Sequence, residues 1–393
     1  MNGNKKIAVF GTFDVNNYGD LLFPLLVQNR LIDYTLEFVS PTHNTTVFQD
    51  AKKVISFDDC FKKNYDAILI GGGNILHLKP NNMTVYDNRG FSYADLWIGA
   101  IKLAASLKTP SLFNAPGISQ KFTDAAEINI VRDALNCANY ISFREKYSKS
   151  IVKKLGLKRD IHVVPDTAFE ISKMWPITTS EKDDIITINL NKRYHNPIDE
   201  TAKWIDKIAG ETKCIIKFLI IGGCHGDLEF TNQLSKKLTV NHKIHISNNL
   251  KELAHCIARS RMFIGSSMHG FITALSYNTP AFLVLEENPI HKFIGLFELC
   301  RLDKDSMCSS FHECFLNINK PAILSNEAQL NITSKLDAHW NKIIKIINSK
   351  DFTKATYNID NYRSILSDNY NSKKNKKLDW HLKKFLKKIL RFE

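Results

Sequence analysis

The sequence predicts an α/β protein of two domains that face each other across a central cleft, with further helices at the C-terminus. At 393 residues the chain is too long for one ordinary hydrophobic core. Short apolar strand-like runs alternate with amphipathic segments in both halves, which is typical of a parallel sheet covered on both faces. A polar, aperiodic stretch separates the two series. We therefore expect a first domain at residues 1–172, a linker at 173–184, a second domain at 185–322, a helical return segment at 323–372 and a basic tail at 373–393.

The first half contains five buried-strand runs and three helical patterns. The strands are predicted at Ile7–Phe10, Ala67–Ile70, Ser111–Ala115, Tyr140–Ser142 and Ile161–Val164, and the helices at Leu21–Ile32, Ser92–Leu107 and Phe143–Leu155. Ser142 and Glu145, three residues apart, have the spacing of a capping box for the last helix, and Gly156 would end it.

The second half repeats the alternation. Strands are predicted at Ile185–Leu190, Cys214–Ile221 and Lys243–Ile246, and helices at Asp199–Ala209, Leu228–Leu238 and Leu250–Arg259. The following segment, Arg261–Val284, indicates a strand, a small-residue loop, a helix and a second strand. Asn326–Ile347 indicates a long helix that packs back across the first domain.

Composition narrows the class of protein. The hydrophobic fraction of 44% and the charged fraction of 24% are those of a globular protein. No apolar run approaches the ~18 residues of a membrane span, and the first residues, MNGNKKIAVFGTF, lack the pattern of a signal peptide. The eight cysteines include no C-x-x-C pair, which indicates reduced thiols and no structural zinc. We expect a cytoplasmic protein without a bound metal.

The net charge of +13 is concentrated at the C-terminus. Residues 373–393 contain nine Lys or Arg and two acids, so this tail carries +7 and the rest of the chain +6. The apolar residues of the tail share one helical face opposite the lysines, and they are Leu378, Leu382, Phe385, Leu386 and Ile389. That pattern favours either contact with anionic lipid at the inner face of the membrane or docking on the protein's own body. No nucleic-acid-binding motif accompanies the charge, so nucleic acid is not an expected partner.

His269 is the strongest catalytic candidate because it falls where a strand-to-helix loop becomes the helix. Backbone N–H groups and the helix dipole attract anions at such an end. Ser266 and Ser267 can cap the helix or bind an oxyanion, and Met268 and Gly270 complete the turn. An imidazole beside an anion site could bind a phosphorylated donor and move a proton on it.

Other polar loops follow strands, and in open α/β sheets ligands bind at the carboxyl ends of the strands. The first loop offers Asn16, Asn17, Gly19 and Asp20, which could bind hydroxyl groups or merely cap a helix. Gly72, Gly73 and Asn74 permit close approach of a ligand or of another chain segment. Four basic residues are candidates for an anion or are ordinary surface charges: Arg144, which could instead pair with Asp166, and Arg193, His195 and Lys292.

Several of these segments together resemble the polysaccharide pyruvyl transferase family over about the first 300 residues. NNYGDLL resembles its N-x-G-D loop, GGGN its glycine-rich turn and SFREKYSKSIVKKLG its S-x-R-[DE] segment. VVPDTAFEI is similar to its P-D-x-A-F element, IGSSMHGFITALSYNTPAFLV to its H-G segment and NPIHKFIGLF to a downstream proline–lysine stretch. The order and spacing of the segments carry the resemblance.

The resemblance implies two Rossmann-like domains in the GT-B arrangement, no metal and phosphoenolpyruvate as co-substrate. The product would be a pyruvate ketal on a sugar of a cell-surface polysaccharide or of its lipid-linked precursor. His269 would correspond to the donor-site histidine of the family. Many members have Arg-x-His where this chain has Ser267-Met268-His269, so Arg144, Arg193 and Lys292 are the candidates for binding the donor anion.

Two other functions fit parts of the sequence. A nucleotide-sugar glycosyltransferase of the same shape would need an acid near the ribose, which Glu286 or Glu287 could supply. A non-enzymatic, membrane-associated protein with a degenerate site would fit the basic tail. Binding of a nucleotide-sugar would favour the first, and activity retained without the tail would exclude the second.

Overall fold

The computed structural model describes residues 5–43, 46–80, 90–157, 159–177, 181–191, 197–223, 226–285, 291–349, 352 and 361–374. The first sheet has the order β3-β2-β1-β4-β5, and all its pairs are parallel. A parallel bridge between Leu112 and Tyr140 connects it to the pair β6-β7. The strands are β1 (Lys6–Phe10), β2 (Thr35–Ser40), β3 (Val54–Ser56), β4 (Ala67–Ile70), β5 (Ser111–Phe113), β6 (Ile141–Phe143) and β7 (Ile161–Val163).

Helices connect these parallel strands, as parallel connections require. They are α1 (Tyr18–Arg30), α2 (Phe57–Cys60), α3 (Ser92–Ala94), α4 (Ala100–Leu107), α5 (Ala125–Cys137), α6 (Lys146–Lys154) and α7 (Ile171–Met174). A π-helical turn, Asp95–Gly99, joins α3 to α4, and a 3₁₀ turn, Thr167–Glu170, precedes α7.

The second sheet has the order β10-β9-β8-β11-β12-β13, which is the strand order of a Rossmann sheet. Its strands are β8 (Asp183–Asn189), β9 (Ile215–Ile220), β10 (His242–Ile246), β11 (Ser260–Gly265), β12 (Ala281–Val284) and β13 (Met307–Cys308). Its helices are α8 (Ile198–Thr212), α9 (Asp227–Ser235), α10 (Leu250–Arg259), α11 (Met268–Ser276), α12 (His291–Cys300) and α13 (Phe311–Leu316). The predicted α/β class with two parallel sheets is confirmed.

The predicted return helix is also confirmed and packs against the first sheet. It is α14 (Asn326–Asn348), and its Trp340, Ile343 and Ile347 share a buried cluster with Ile7 and Val9 of β1. The Trp340 indole N–H donates to the Glu170 carboxylate at 2.8 Å.

Residues 362–374 form a further helix that reaches the first domain. The Tyr362 hydroxyl donates to Asp95 Oδ1, which also accepts from the Arg363 guanidinium at 2.8 Å. The remainder of the basic tail, with its predicted lipid-facing residues, lies outside the described residues.

The capping-box prediction at Ser142 is wrong. Strand β6 continues through Ser142, whose hydroxyl donates to the Phe113 carbonyl and accepts from the Ala115 N–H at 2.9 Å. Helix α6 begins only at Lys146, so Arg144 lies in the connecting loop and does not oppose the helix dipole. Gly156 does follow the helix in a left-handed conformation, with φ of +79°. The structure also adds β2, β3, α5 and α12, which the sequence pattern did not predict.

Direct contacts join the two domains beside the cleft. The Tyr18 N–H donates to the Ile221 carbonyl at 2.9 Å, and the Tyr18 hydroxyl pairs with that of Thr273 at 2.9 Å. The Asp50 carboxylate accepts from two backbone N–H groups, Leu250 at 2.8 Å and Lys251 at 3.0 Å. These N–H groups begin α10, so a carboxylate of the first domain caps a helix of the second. Within the described part of the chain, none of the helices combines the length and apolar character of a transmembrane span.

Candidate active site

Loops at the carboxyl ends of both sheets enclose a cavity of about 370 Å³. This is the position at which open α/β sheets bind ligands. The cavity brings together most of the residues predicted from sequence, namely Asn17, Asp20, Gly73, Asn74, Arg144, Ser266, Ser267, Met268, His269 and Lys292.

The amino end of α11 faces this cavity. Ser267 is the N-cap, and its hydroxyl accepts from the Gly270 N–H at 3.2 Å. The preceding loop is held to the end of β8, because the Ser266 N–H donates to the Asn189 carbonyl at 2.9 Å and Asn191 donates to the Ser266 hydroxyl at 3.3 Å. The positive end of the helix dipole and the first amides of α11 therefore point to the cavity in the manner of helix ends that bind anions.

His269 is held tightly at this helix end. Its side chain is 14% exposed, and Nε2 lies 3.6 Å from Asp166 Oδ2. The Phe23 ring meets the imidazole edge to face, with centroids 5.4 Å apart. Gly19 lies against the other side, where a Cβ atom would come within 1.9 Å of Nδ1. Phe23 and Gly19, both in α1, thus fix the imidazole from two sides, and Asp166 lies beside its Nε2 atom.

Asp166 connects His269 to Arg144. Arg144 Nη1 donates to Asp166 Oδ2 at 3.1 Å, and Arg144 Nε lies 3.4 Å from Glu145 Oε2. All three of these charged side chains are buried. Burial alone would raise the pKa of Asp166, but His269 and Arg144 outweigh it and lower this pKa to about 2. Asp166 is therefore ionised at neutral pH, and it lies between the His269 imidazole and the Arg144 guanidinium.

Two more carboxyl groups have raised pKa values because of burial. The pKa of Glu145 is raised although Arg144 counteracts the effect. The pKa of Asp20, which lines the cavity, is raised although His269, Thr12, Arg144 and Lys292 all favour its ionised form. Asp20 thus lies close to the same basic residues, His269, Arg144 and Lys292, that are the candidates for binding an anion.

The predicted residues that do not line the cavity have structural contacts. Asn16 accepts from the Val47 N–H at 2.9 Å, and Gly270 is part of the α11 cap. Gly72, with φ of +85°, lies so close to the Phe23 ring that a Cβ atom would be 2.3 Å from it. Arg193, His195, Glu286 and Glu287 lie outside the described residues.

Other residues that line the cavity or lie beside it were not predicted as part of the site. Asp166 was considered only as a partner of Arg144, and that pairing is confirmed. The unpredicted members include His77, Tyr93, Ser119, Asn189 and Asp227. Burial raises the pKa of Asp227 to about 6, although Asn189 donates to its carboxylate at 3.1 Å. Their polar side chains are isolated in sequence and form no motif.

Comparisons with known proteins identify the family and the fold. The sequence model of the family "Polysaccharide pyruvyl transferase" matches residues 17–288. No curated protein matches the chain significantly. A UDP-N-acetylglucosamine 2-epimerase structure from Rickettsia bellii superposes with a TM-score of 0.56 at 10% identity, covering 88% of this chain and 97% of the epimerase. The epimerase from Neisseria meningitidis, bound to UDP-GlcNAc, has a TM-score of 0.50 at 12% identity, with coverage of 87% and 98%. These structures have the GT-B fold, and the fold predicted for this chain is confirmed.

Proposed function

The chain belongs to the polysaccharide pyruvyl transferase family, a family of transferases, and from that premise we propose that it forms a pyruvate ketal on a sugar with phosphoenolpyruvate as donor. The acceptor would be a residue of a cell-surface polysaccharide or of its lipid-linked precursor. The observation that carries the proposal is the cluster of His269, Arg144 and Lys292 around the amino end of α11.

The charges of this cluster suit the donor. Phosphoenolpyruvate has a carboxylate and a phosphate, so its site requires several cationic or N–H donor groups. Arg144 comes from the first domain, whereas His269 and Lys292 come from the second, and all three line one cavity. The serines and amides at residues 266–268 suit the phosphate, which favours helix N-termini. Lys292 or Arg144 would then bind the carboxylate.

The reaction balances with two sugar hydroxyl groups. Protonation at C3 of phosphoenolpyruvate converts the vinyl carbon to a methyl group and makes C2 electrophilic. One hydroxyl adds to C2 and loses its proton, and phosphate then leaves with its bonding pair. The second hydroxyl adds to C2 and loses its proton to close the ketal ring. Of the two hydroxyl protons, one replaces the proton given to C3 and the other leaves with phosphate.

His269 is the residue we assign to proton transfer or phosphate contact. The ionised Asp166 orients the imidazole and supports its protonated form during the reaction, as a carboxylate partner does in other acid–base sites. The amides at the start of α11 stabilise the charge of the departing phosphate. Asn17 and Asp20, on the facing loop of the first domain, would hold the acceptor.

A lipid-linked acceptor would explain the basic, amphipathic tail. We propose a cytoplasmic enzyme with peripheral contact at the inner membrane face, because such a tail binds anionic lipid through its lysines and its apolar face. Deletion of residues 375–393 should then lower the rate on a vesicle-bound acceptor and leave the rate on a water-soluble acceptor unchanged.

The first experiment is a thermal-shift titration with phosphoenolpyruvate, phosphate, pyruvate and a panel of UDP-sugars. A ligand that binds only the folded state raises the melting temperature by mass action. We expect a shift with phosphoenolpyruvate that His269→Ala reduces, together with release of phosphate and a ketal methyl signal in the NMR spectrum of a hexoside acceptor. A shift with a UDP-sugar alone would replace this proposal with glycosyl transfer, and no shift with any ligand would favour a degenerate site.

A further inference from the structure

Two loops of the first domain pair to form a floor in the cleft. The Gly117 N–H donates to the Gly73 carbonyl at 2.9 Å, and the Leu76 N–H donates to the Gly117 carbonyl at 3.3 Å. Leu76 and Ile118 then form a parallel bridge. The loop after β4 and the loop after β5 therefore run side by side, in the same direction, away from the ends of their strands.

One end of this floor lies against the cations. A Cβ atom at Gly117 would be 2.6 Å from Asn74 Oδ1 and 2.9 Å from Arg144 Nε, so these two side chains are neighbours over Gly117. Asn74 thus marks the boundary of the proposed donor site. The floor continues from there to His77 on one loop and Ser119 on the other, over at most about 10 Å for three extended residues.

The far end of the floor has a different character. The His77 and Tyr93 rings lie against each other, with centroids 4.1 Å apart, and both residues line the cavity with Ser119. Burial and the charge of Lys79 lower the pKa of His77 to about 4, so this imidazole is neutral at physiological pH. Among the described residues that line the cavity, the cationic candidates are Arg144, Lys292 and His269, and all three act on the carboxyl group of Asp20.

This difference matches the two substrates of the proposed reaction. An anionic donor requires the cationic end, whereas a neutral sugar is recognised by an aromatic ring under its C–H face and by a few hydroxyl, amide or imidazole groups at its edge. We infer that the end of the cleft formed by His77, Tyr93 and Ser119 binds a neutral pyranose of the acceptor, with Tyr93 under the sugar ring and Asn74 beside the two reacting hydroxyl groups. The inference rests on the proposed function for the position of the donor.

The test uses p-nitrophenyl hexopyranosides and separates sugar binding from turnover. Saturation-transfer NMR of the full chain with each hexoside needs no reaction, and we expect binding that Tyr93→Ala weakens about tenfold, the effect of losing one aromatic contact of about 1.4 kcal/mol. Tyr93→Phe keeps the ring and should stay within about threefold of the wild type. Tyr370→Ala removes an exposed tyrosine elsewhere and should leave hexoside binding unchanged.

The kinetic readout distinguishes this inference from the function on which it rests. With turnover present, Tyr93→Ala should raise KM for the hexoside and leave KM for phosphoenolpyruvate unchanged, and an unchanged thermal shift with phosphoenolpyruvate shows that the variant is folded. Equal KM values for the hexoside in wild type and Tyr93→Ala, or no hexoside binding to the wild type, would overturn the sugar site. Hexoside binding that depends on Tyr93, together with no thermal shift and no turnover with phosphoenolpyruvate, would support the sugar site and refute phosphoenolpyruvate as the donor.

Discussion

Substituting Gly19 by Ala is a direct test of the position of His269, because it adds one methyl group beside the ring. The new Cβ atom would be 1.9 Å from Nδ1, 2.5 Å from Cγ and 2.7 Å from Cε1 of His269. Gly19 is the second residue of α1, and its φ is not in the left-handed region, so the backbone accepts alanine. The perturbation therefore acts on the imidazole and not on the helix.

The size of the effect follows from the distances. Because Cβ contacts below 3.0 Å essentially do not occur, the imidazole must move by at least about 1.1 Å. Phe23 and Asp166 limit that movement on the other sides. A misplacement of about 1 Å at a reacting group can lower the rate about 100-fold, or ~2.7 kcal/mol in the activation free energy. Alanine favours the helix over glycine by up to ~1 kcal/mol, which offsets the cost of displacing the ring. The free energy of unfolding should therefore change little.

The assay is phosphate release from phosphoenolpyruvate with a hexoside acceptor, measured beside urea unfolding. Gly210→Ala is the matched control, because Gly210 lies in α8 with nothing within 4 Å of its Cβ position. It should gain about 0.5–1 kcal/mol of stability and keep wild-type kcat. The double variant Gly19→Ala with His269→Ala should be no less active than His269→Ala alone, since the methyl group then has no ring to displace.

Wild-type kcat in Gly19→Ala would contradict the catalytic role of His269, because the imidazole would then tolerate a shift larger than catalysis permits. A further loss of activity in the double variant would show that Gly19 acts through some other contact. A large loss of stability with normal kcat per folded molecule would assign the Gly19–His269 contact to packing alone.

Three further predictions concern buried titratable groups and are measured by urea unfolding across pH. The ionised form of Asp166, with its pKa lowered from 3.8 to about 2, stabilises the fold by about 2 kcal/mol above pH 4. Asp166→Asn should be at least that much less stable at pH 7, and the difference should close as the pH falls through 2; a constant difference would contradict the ion-pair account. Burial lowers the pKa of His339 from 6.5 to about 3, so as the pH falls this histidine is protonated in the unfolded chain before it is protonated in the folded protein. The free energy of unfolding of the wild type should therefore fall by about 2 kcal/mol between pH 7 and 5 through this residue. His339→Gln should remove that part of the slope, and an unaltered slope would exclude it. Burial raises the pKa of Asp227 from 3.8 to about 6, which destabilises the ionised form at high pH. Asp227→Asn should therefore raise the free energy of unfolding by as much as about 3 kcal/mol at pH 8, and this gain should vanish below pH 4. A gain that is independent of pH would point to packing instead.

Local sequence patterns predicted the parts of the fold that depend on local physics. The apolar runs of β1 and β4 are buried on both faces and therefore read as continuous hydrophobic segments. Strand β2, by contrast, begins with exposed and half-buried residues, and β3 has only three residues. Neither segment gives a signal that exceeds that of a loop. Pairing of β2 with β1, and of β3 with β2, makes them strands.

Ser142 shows why a local motif can mislead. The Ser-x-x-Glu spacing is that of a capping box, but the strand pairing of β6 with β7 extends to Phe143. The serine hydroxyl then bonds to the chain at Phe113 and Ala115, and the Glu145 carboxylate accepts from Ser148 instead of from the backbone. A hydrogen bond to a distant strand competes with the local cap, and tertiary pairing decides between them.

The candidate site also contains residues that local sequence predicts and residues that it does not. His269 could be predicted because a strand, a serine cap and a helix adjoin in one short segment. Asp166 lies about a hundred residues earlier, and its role depends on a contact that exists only when the two domains meet. His77 and Tyr93 are likewise distant in sequence, and the contact between their rings is a tertiary one that no local pattern predicts.

The construction of the site from two domains has a consequence for donor binding. Arg144 and Asp166 project from the ends of β6 and β7, whereas His269 and Lys292 follow β11 and β12, so neither domain alone holds the full set of charges. The buried guanidinium of Arg144 requires an anionic partner, and Asp166 supplies one before any ligand arrives. An incoming anion must therefore add to an ion pair that already exists. For the proposed donor, we expect the affinity to depend on how firmly the two domains hold Asp166 against His269. The Tyr18–Thr273 bond and the Asp50 cap of α10 maintain that arrangement from the edge of the cleft. The interdomain contacts therefore also control the charged cluster, because the packing of α1 on α11 sets the distance between Asp166 and His269.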